Sequence, residues 1–308
     1  MFIIFKRIPV ICLLALIINC QSENHKTEGV KSSPSTPSAD EILKPAQNLS
    51  HDFKSYWFSG EAELATYDLE QVRYGQLRKG TATLIFVTED FLPEEQVKAE
   101  TQKTSNIKVL KLNKTKNFVT GIYPYTIMQS VFFPVANNQH AIKVSGAVQE
   151  WCGHMYAQIN NREMFEISSH SYFQGEADQN YSLEPTYTEN EIWTQLRLDP
   201  KSLPQGKLKM IPSIEFTQLQ HKKIKPYKAQ ATLNGGKYTV SYPNLNRSLT
   251  INFKNEFPYK ITSWQVHHNM KDTTHLLINA QLKQQMKLDY WNKNKTADTI
   301  YRKQLSLD

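Results

Sequence analysis

Three cysteines serve the whole 308-residue chain, and two of them fall within its first twenty residues. Cys152 alone stands in residues 51–308, so no disulfide can form there and a packed core has to hold the fold. Glycine is scarce as well, at 11 residues, and apolar stripes at helical spacing are few. Beyond the N-terminal segment, no run approaches the roughly 18 consecutive apolar residues that a membrane-spanning helix requires. There is no P-loop, no dinucleotide fingerprint, no zinc signature and no G-x-S-x-G elbow. These absences exclude a disulfide-stapled miniprotein and a polytopic helical membrane protein. They also leave no cofactor to expect.

The N-terminus, MFIIFKRIPVICLLALIINC, carries Lys6 and Arg7 ahead of an apolar run from Ile8 to Ile18. That run is too short for a stable spanning helix and has the layout of a signal peptide over residues 1–19. Ile17-Ile18-Asn19-Cys20 resembles the lipobox of bacterial lipoproteins, with Asn19 where Gly, Ala or Ser is usual. The resemblance implies cleavage before Cys20, acylation of its thiol, and an outer-membrane lipoprotein whose body faces either side. The lipid then makes a membrane the first partner, because each buried methylene contributes about 0.8 kcal/mol and several chains anchor stably. Formal charge is +7, and +5 once Lys6 and Arg7 leave with the signal. In an envelope compartment such a charge suits anionic lipid or envelope polymer as ligand, and nucleic acid is not expected. Protein partners stay open.

Residues 20–50 are polar and rich in Ser, Pro, Thr and Lys, a composition that cannot offset its own ordering entropy. They read as a flexible tether with a reach of about 30 Å. From residue 51 aromatic and β-branched residues become dense. Strand expectations follow in series: Tyr56–Leu69, Gly80–Thr88, Asn106–Asn113, Phe118–Tyr123 and Thr126–Pro134 around a turn at Tyr123-Pro124-Tyr125, and a long strand or hairpin over His140–Asn160. Thr188-Glu189-Asn190-Glu191 fits a capping box opening one short helix near 188–198. Asn234-Gly235-Gly236 marks a tight hairpin. Residues 286–290 and 298–307 are expected to close the sheet as a last hairpin. The fold class is all-β and mainly antiparallel: a single large curved sheet, half-barrel or sandwich, over residues 51–308.

Three places carry a family resemblance: Tyr56-Trp57 with Gly60, Lys111-Leu112-Asn113 with Thr120–Tyr125, and Glu150-Trp151-Cys152-Gly153-His154. On these, the stretch from Tyr56 onward resembles an uncharacterised family of Bacteroidota lipoproteins, some labelled septum formation inhibitor Maf. The chain lacks the Ser- and Arg-rich opening loop of the Maf nucleotide pyrophosphatases. The resemblance therefore implies an envelope lipoprotein and carries over no catalytic residues. By architecture alone, the pattern also resembles long β-sheet periplasmic domains of unknown function.

The segment 147–160, AVQEWCGHMYAQIN, holds the candidate chemistry. Taken as one strand, it places Trp151, Gly153, Met155, Ala157 and Ile159 on a core face and Glu150, Cys152 and His154 on the other. Neighbours on that face stand roughly 7 Å apart, too far for a direct Cys–His hydrogen bond unless Gly153 forms a bulge. Cys152, His154 and Glu150 are thus candidates for a thiol-dependent hydrolase or transferase, against a covered cysteine with satisfied polar neighbours. Trp57, Tyr123, Tyr125 and Trp151 are candidates to line a ligand groove, against simple core packing. His267, His268 and His275 tempt a metal reading, but adjacent strand residues point to opposite faces, so no metal site is expected. The basic run His221–Lys228 is either a solvated loop or a contact for anionic head groups. The leading expectation is a non-catalytic envelope lipoprotein that binds an apolar or amphipathic ligand. An assembly module that binds another envelope protein and a Cys152 enzyme are the alternatives.

Overall fold

The computed structural model describes residues 49–136, 140–268 and 277–307. The signal segment, Cys20, nearly all of the tether and His275 lie outside them. The chain opens with helix α1 (His51–Trp57), then β1 (Ala62–Arg73), β2 (Gln76–Leu92), β3 (Val97–Lys98), β4 (Ile107–Thr120) and β5 (Tyr123–Pro134). Next come β6 (Lys143–Glu150), β7 (Gly153–Asn161), β8 (Phe165–His170), β9 (Gln179–Leu183) and β10 (Tyr187–Thr188). Helix α2 (Glu189–Leu198), β11 (Gly206–Ile211) and α3 (Ile214–Leu219) follow. The last strands are β12 (Tyr227–Asn234), β13 (Lys237–Tyr242), β14 (Arg247–Phe253), β15 (Ile261–His268) and β16 (Leu277–Leu288), ahead of α4 (Ile300–Gln304).

All sixteen strands among the described residues join one sheet, ordered β10-β11-β12-β13-β14-β15-β16-β1-β2-β4-β5-β6-β7-β8-β9, with β3 beside β2. Every pairing is antiparallel except β10 with β11. Its two edge strands, β9 and β10, are neighbours in sequence, separated by residues 184–186 alone. A link that short spans at most about 14 Å, so the sheet must curl until its edges meet. The result is an unclosed, barrel-like sheet with a seam.

The curl encloses α2. Nine of its ten residues are buried, polar ones included, which marks a helix surrounded on all sides. The predicted capping box is present, with the Thr188 hydroxyl accepting from the Glu191 N–H and the Glu191 carboxylate accepting from the Thr188 N–H. Strands from well-separated parts of the sheet supply its partners. Arg247 of β14 grips Glu189 at one end, and Arg197 at the other end donates twice to Glu63 of β1, at 2.5 and 2.7 Å. Asn190 Nδ2 donates to Gln129 of β5 at 2.7 Å, and Trp193 meets Trp264 of β15 edge-on at 5.2 Å. The lumen is therefore filled, chiefly by Tyr67, Phe86, Trp193, Leu196, Tyr238 and Trp264.

Several expectations are corrected. Among the described residues the single helix becomes four. Tyr56-Trp57-Phe58 does not open a strand: Ser50 caps the Phe53 N–H and Asp52 sits in the first turn, so these residues complete α1. The β4–β5 turn is at Gly121-Ile122, with Gly121 at φ 59°, and Pro124 lies inside β5 opposite Val119. The tail forms 3-10 turns and α4 rather than a hairpin; Leu305 is buried and its carbonyl accepts from the Thr66 hydroxyl at 2.7 Å. The hairpin alternative for 140–160 holds, with its turn at Trp151-Cys152.

The Arg197–Glu63 pair is fully buried, and its arginine overcomes the burial that would otherwise raise the Glu63 carboxyl, holding it below the usual range. Arg197→Met strands that carboxylate in the interior and is expected to lower unfolding free energy by about 3–5 kcal/mol in denaturant titration. Adding Glu63→Leu to the same chain should recover most of the loss.

Candidate functional site

The two ends of the curled sheet differ. At one, α1 covers the lumen, with Trp57 buried and its ring 5.0 Å from the Arg197 guanidinium. The other end gathers the β1–β2, β4–β5 and β6–β7 turns and the loop before β9. There α3 is a lid of only six residues. It sits tightly on β6, because a Cβ at Gly146 would fall 2.5 Å from Ile214 Cγ2. It nevertheless leaves a cavity of about 180 Å³ beside the lumen mouth.

An arc of exposed aromatic and aliphatic side chains borders this mouth. Tyr74 is 59% exposed, Ile122 82%, Trp151 68% and Tyr172 68%. The arc is continuous. The Tyr74 and Tyr125 hydroxyls are 2.9 Å apart, Tyr123 donates to Tyr74 at 3.3 Å, the Tyr123 and Trp151 rings lie 6.2 Å apart, and the Tyr172 ring covers Gly153. The Arg73 guanidinium lies 4.5 Å from the Tyr74 ring and donates to the Tyr125 hydroxyl and the Leu219 carbonyl. Beyond Tyr172, Phe173 packs on His221, where the basic run His221–Lys228 begins.

Inside the mouth, the cavity is lined by charge. Lys116 Nζ donates to Glu215 at 2.6 Å and to Gln71 at 3.2 Å, while Gln129 donates to the other Glu215 oxygen at 3.0 Å. Arg247 forms its bidentate pair with Glu189. Lys114, 7% exposed, has no carboxylate partner among the described residues; its Nζ rests 3.8 Å from the Trp193 ring centre and 5.3 Å from that of Trp264. Burial, and then the charge of Lys116, push this ammonium down to about 7. His268 lines the same cavity, stacked on Phe216, and burial with Arg247 lowers it to about 4, so it is neutral.

Of the residues singled out in the sequence, Tyr123, Tyr125 and Trp151 meet at this mouth. Tyr125 is buried beneath the arc, stacked on Phe118, and Trp57 lies at the opposite end of the sheet. Trp151 is not on a core face, because the two-residue turn reverses the side-chain parity between β6 and β7. Gly153 stays in register with the buried row Met155, Ala157 and Ile159, as expected, and the Tyr172 ring lies over it. Cys152 is exposed at the turn tip instead of covered. Glu150 accepts from the Cys152 N–H at 2.8 Å and, by its hydrogen bond to the thiol, raises the thiol's pKa, which disfavours the nucleophilic thiolate. His154 is exposed and pairs across the hairpin with Gln149, so no thiol–imidazole pair forms. His267 is exposed while His268 faces the cavity, as opposite strand faces require. Among the described residues no group of three or more metal-ligating side chains occurs.

The sequence reading missed Arg73, Tyr74, Lys114, Lys116, Glu189, Glu215 and Arg247. A signal existed for two of them: Lys114 and Lys116 occupy the same strand face as Leu110, Leu112 and Phe118, where an apolar side chain would be regular.

Two outcomes follow. Glu150→Gln is expected to speed labelling of Cys152 by a thiol reagent severalfold at pH 7, because removing the carboxylate charge lowers the thiol's pKa; second-order labelling rates measure this. Lys114 is charged at neutral pH in the unfolded chain, with an ordinary value of 10.5, and its folded value lies lower. Its contribution is thus fully present above pH 10.5 and is lost as pH falls through about 7. Lys114→Met should raise unfolding free energy at pH 7 by about 1–4 kcal/mol and flatten the wild-type rise between pH 7 and 10, as read from denaturant titrations at several pH values.

No protein-family model matches the chain, and no curated protein matches it. Among solved structures it is similar to the beta-barrel-like protein of domain of unknown function DUF1849 from Brucella abortus. The two share 6% identity at a TM-score of 0.45, and the match covers 74% of this chain and 98% of that one.

Proposed function

We propose that this chain is a non-catalytic, membrane-tethered envelope lipoprotein whose barrel-like domain binds an amphipathic ligand at the open mouth. The observation that carries this reading is the placement of a continuous aromatic arc, exposed Tyr74 and Trp151 joined by half-buried Tyr123, beside a polar cavity. The arc would take the apolar part of the ligand and the cavity its polar part. Exposed aromatic side chains gathered this closely are uncommon on a surface without a partner.

The filled lumen supports a site at the mouth rather than a deep apolar calyx. A cavity of about 180 Å³ is smaller than the roughly 300–1,000 Å³ of pockets that swallow drug-sized ligands, so most of the ligand would lie outside it. The Ile17-Ile18-Asn19-Cys20 pattern supports the lipid anchor, and residues 20–50 support a tether that lets the mouth work off the membrane. The same arc also favours a second reading, in which an envelope protein docks there.

Native mass spectrometry of the full acylated chain released from envelopes tests the proposal. A stoichiometric, non-covalent amphiphile is expected on the wild type and should be lost from the Tyr74→Ser/Trp151→Ser variant. A ligand-free wild type, with crosslinking of intact envelopes yielding one dominant protein at Trp151, would favour the second reading instead.

A further inference from the structure

We infer that the mouth cavity is a binding site for one small anionic group, a carboxylate or a phosphate, held by Lys114. This deepens the amphipathic-ligand reading by naming the chemistry of the polar part, and it rests on that reading only where it joins the anion to an apolar tail.

The charged groups lining the cavity and its opening are Arg73, Lys114, Lys116, Glu189, Glu215 and Arg247. Glu215 is spent on Lys116 and Gln129, and Glu189 on Arg247. His268 is neutral. Arg73 sits at the opening, bound to the Tyr125 hydroxyl and the Leu219 carbonyl. With the two interior pairs cancelled, Lys114 leaves one positive charge facing the cavity. The rings of Trp193 and Trp264 attract it, but a cation–π contact supplies none of the hydrogen bonds that an ammonium loses on leaving water. A second donor in the same cavity is also idle: Arg247 Nε is buried without an acceptor. A cavity lined by one cation without a carboxylate partner and one N–H without an acceptor is complementary to an anionic oxygen pair. The volume of about 180 Å³ is large enough to admit a carboxylate or phosphate.

The source of the anion is separated by three probes, titrated calorimetrically into the full chain: decanoate, decanol and inorganic phosphate. Decanoate is expected to bind about ten- to a hundredfold more tightly than decanol, the difference one charge-assisted hydrogen bond makes. Lys114→Met should remove that advantage while leaving decanol unchanged, and wild-type decanoate affinity should fall as pH rises above 7, a trend that the variant lacks. Inorganic phosphate binding that is lost in Lys114→Met, with neither decanoate nor decanol binding, supports the anion site and overturns the amphipathic-ligand reading. Equal binding of decanoate and decanol to both proteins overturns the anion site and leaves the amphipathic reading standing. Failure of all three probes on the wild type overturns both. Should Lys114→Met perturb folding, Lys114→Gln with the wild-type pH series supplies the same comparison.

Discussion

A polar helix enclosed by a curled sheet governs this structure. Helix α2 carries Glu189, Asn190, Glu191, Thr194, Gln195 and Arg197 into an interior where each must find a partner. The partners come from β1, β5 and β14, strands spread across the sheet order. The β9 and β10 edges do not pair, and the link of residues 184–186 keeps them close without a ladder between them. What joins the walls is the central helix. Buried ion pairs add little net stability relative to apolar packing. Their effect here is on position. A slip of α2 by one turn, about 5.4 Å, would break its pairs at both ends and leave Glu63 and Arg247 charged and alone.

Some of this was legible because the physics is local. Thr188–Glu191 announced α2 through a reciprocal cap that needs only four residues. Asn234-Gly235-Gly236 announced its hairpin because Gly235 takes φ 55°. The Trp151-Cys152 turn carried no such mark: neither residue favours a turn, and the Glu150 carboxylate that accepts from the Cys152 N–H is a contact that propensity does not contain. Without that turn, the core parity of β7 runs back through Trp151 into β6 and puts Trp151 in the core and Glu150 on the solvent side, whereas Trp151 is exposed and Glu150 buried. Tyr56-Trp57-Phe58 misled for a related reason. Their β preference is weaker than a capped N-terminus at Ser50 followed by burial of Phe53 and Trp57 on one helical face.

The site was less legible than the fold because it is assembled by topology. Tyr74, Tyr123, Trp151 and Tyr172 come from four connections that a meander brings to one end, and no sequence spacing links them. Lys114 is different. Its neighbours on the inward face of β4 are Leu110, Leu112 and Phe118, so the alternation itself singles out Lys114 and Lys116. What alternation cannot tell is that Lys116 meets Glu215 from α3 whereas Lys114 meets two tryptophans.

That difference also decides where function is to be sought. At the α1 end every charge is answered: Arg197 meets Glu63 and the Pro258 carbonyl, and Tyr56 donates to Glu63. The Tyr56, Trp57 and Phe86 rings pack edge-on around that end. At the mouth, a leucine in place of Lys114 would extend the apolar row and relieve the desolvation cost, yet a lysine stands there, depressed to about 7 by its surroundings. A local rule broken without compensation inside the protein calls for compensation from outside it. The exposed tyrosines and tryptophan at the same opening break a second rule, that large apolar surface is hidden. Two unrelated violations, one of charge and one of exposure, meet within a single cavity and its rim, and a ligand with an anionic head and an apolar body relieves both at once.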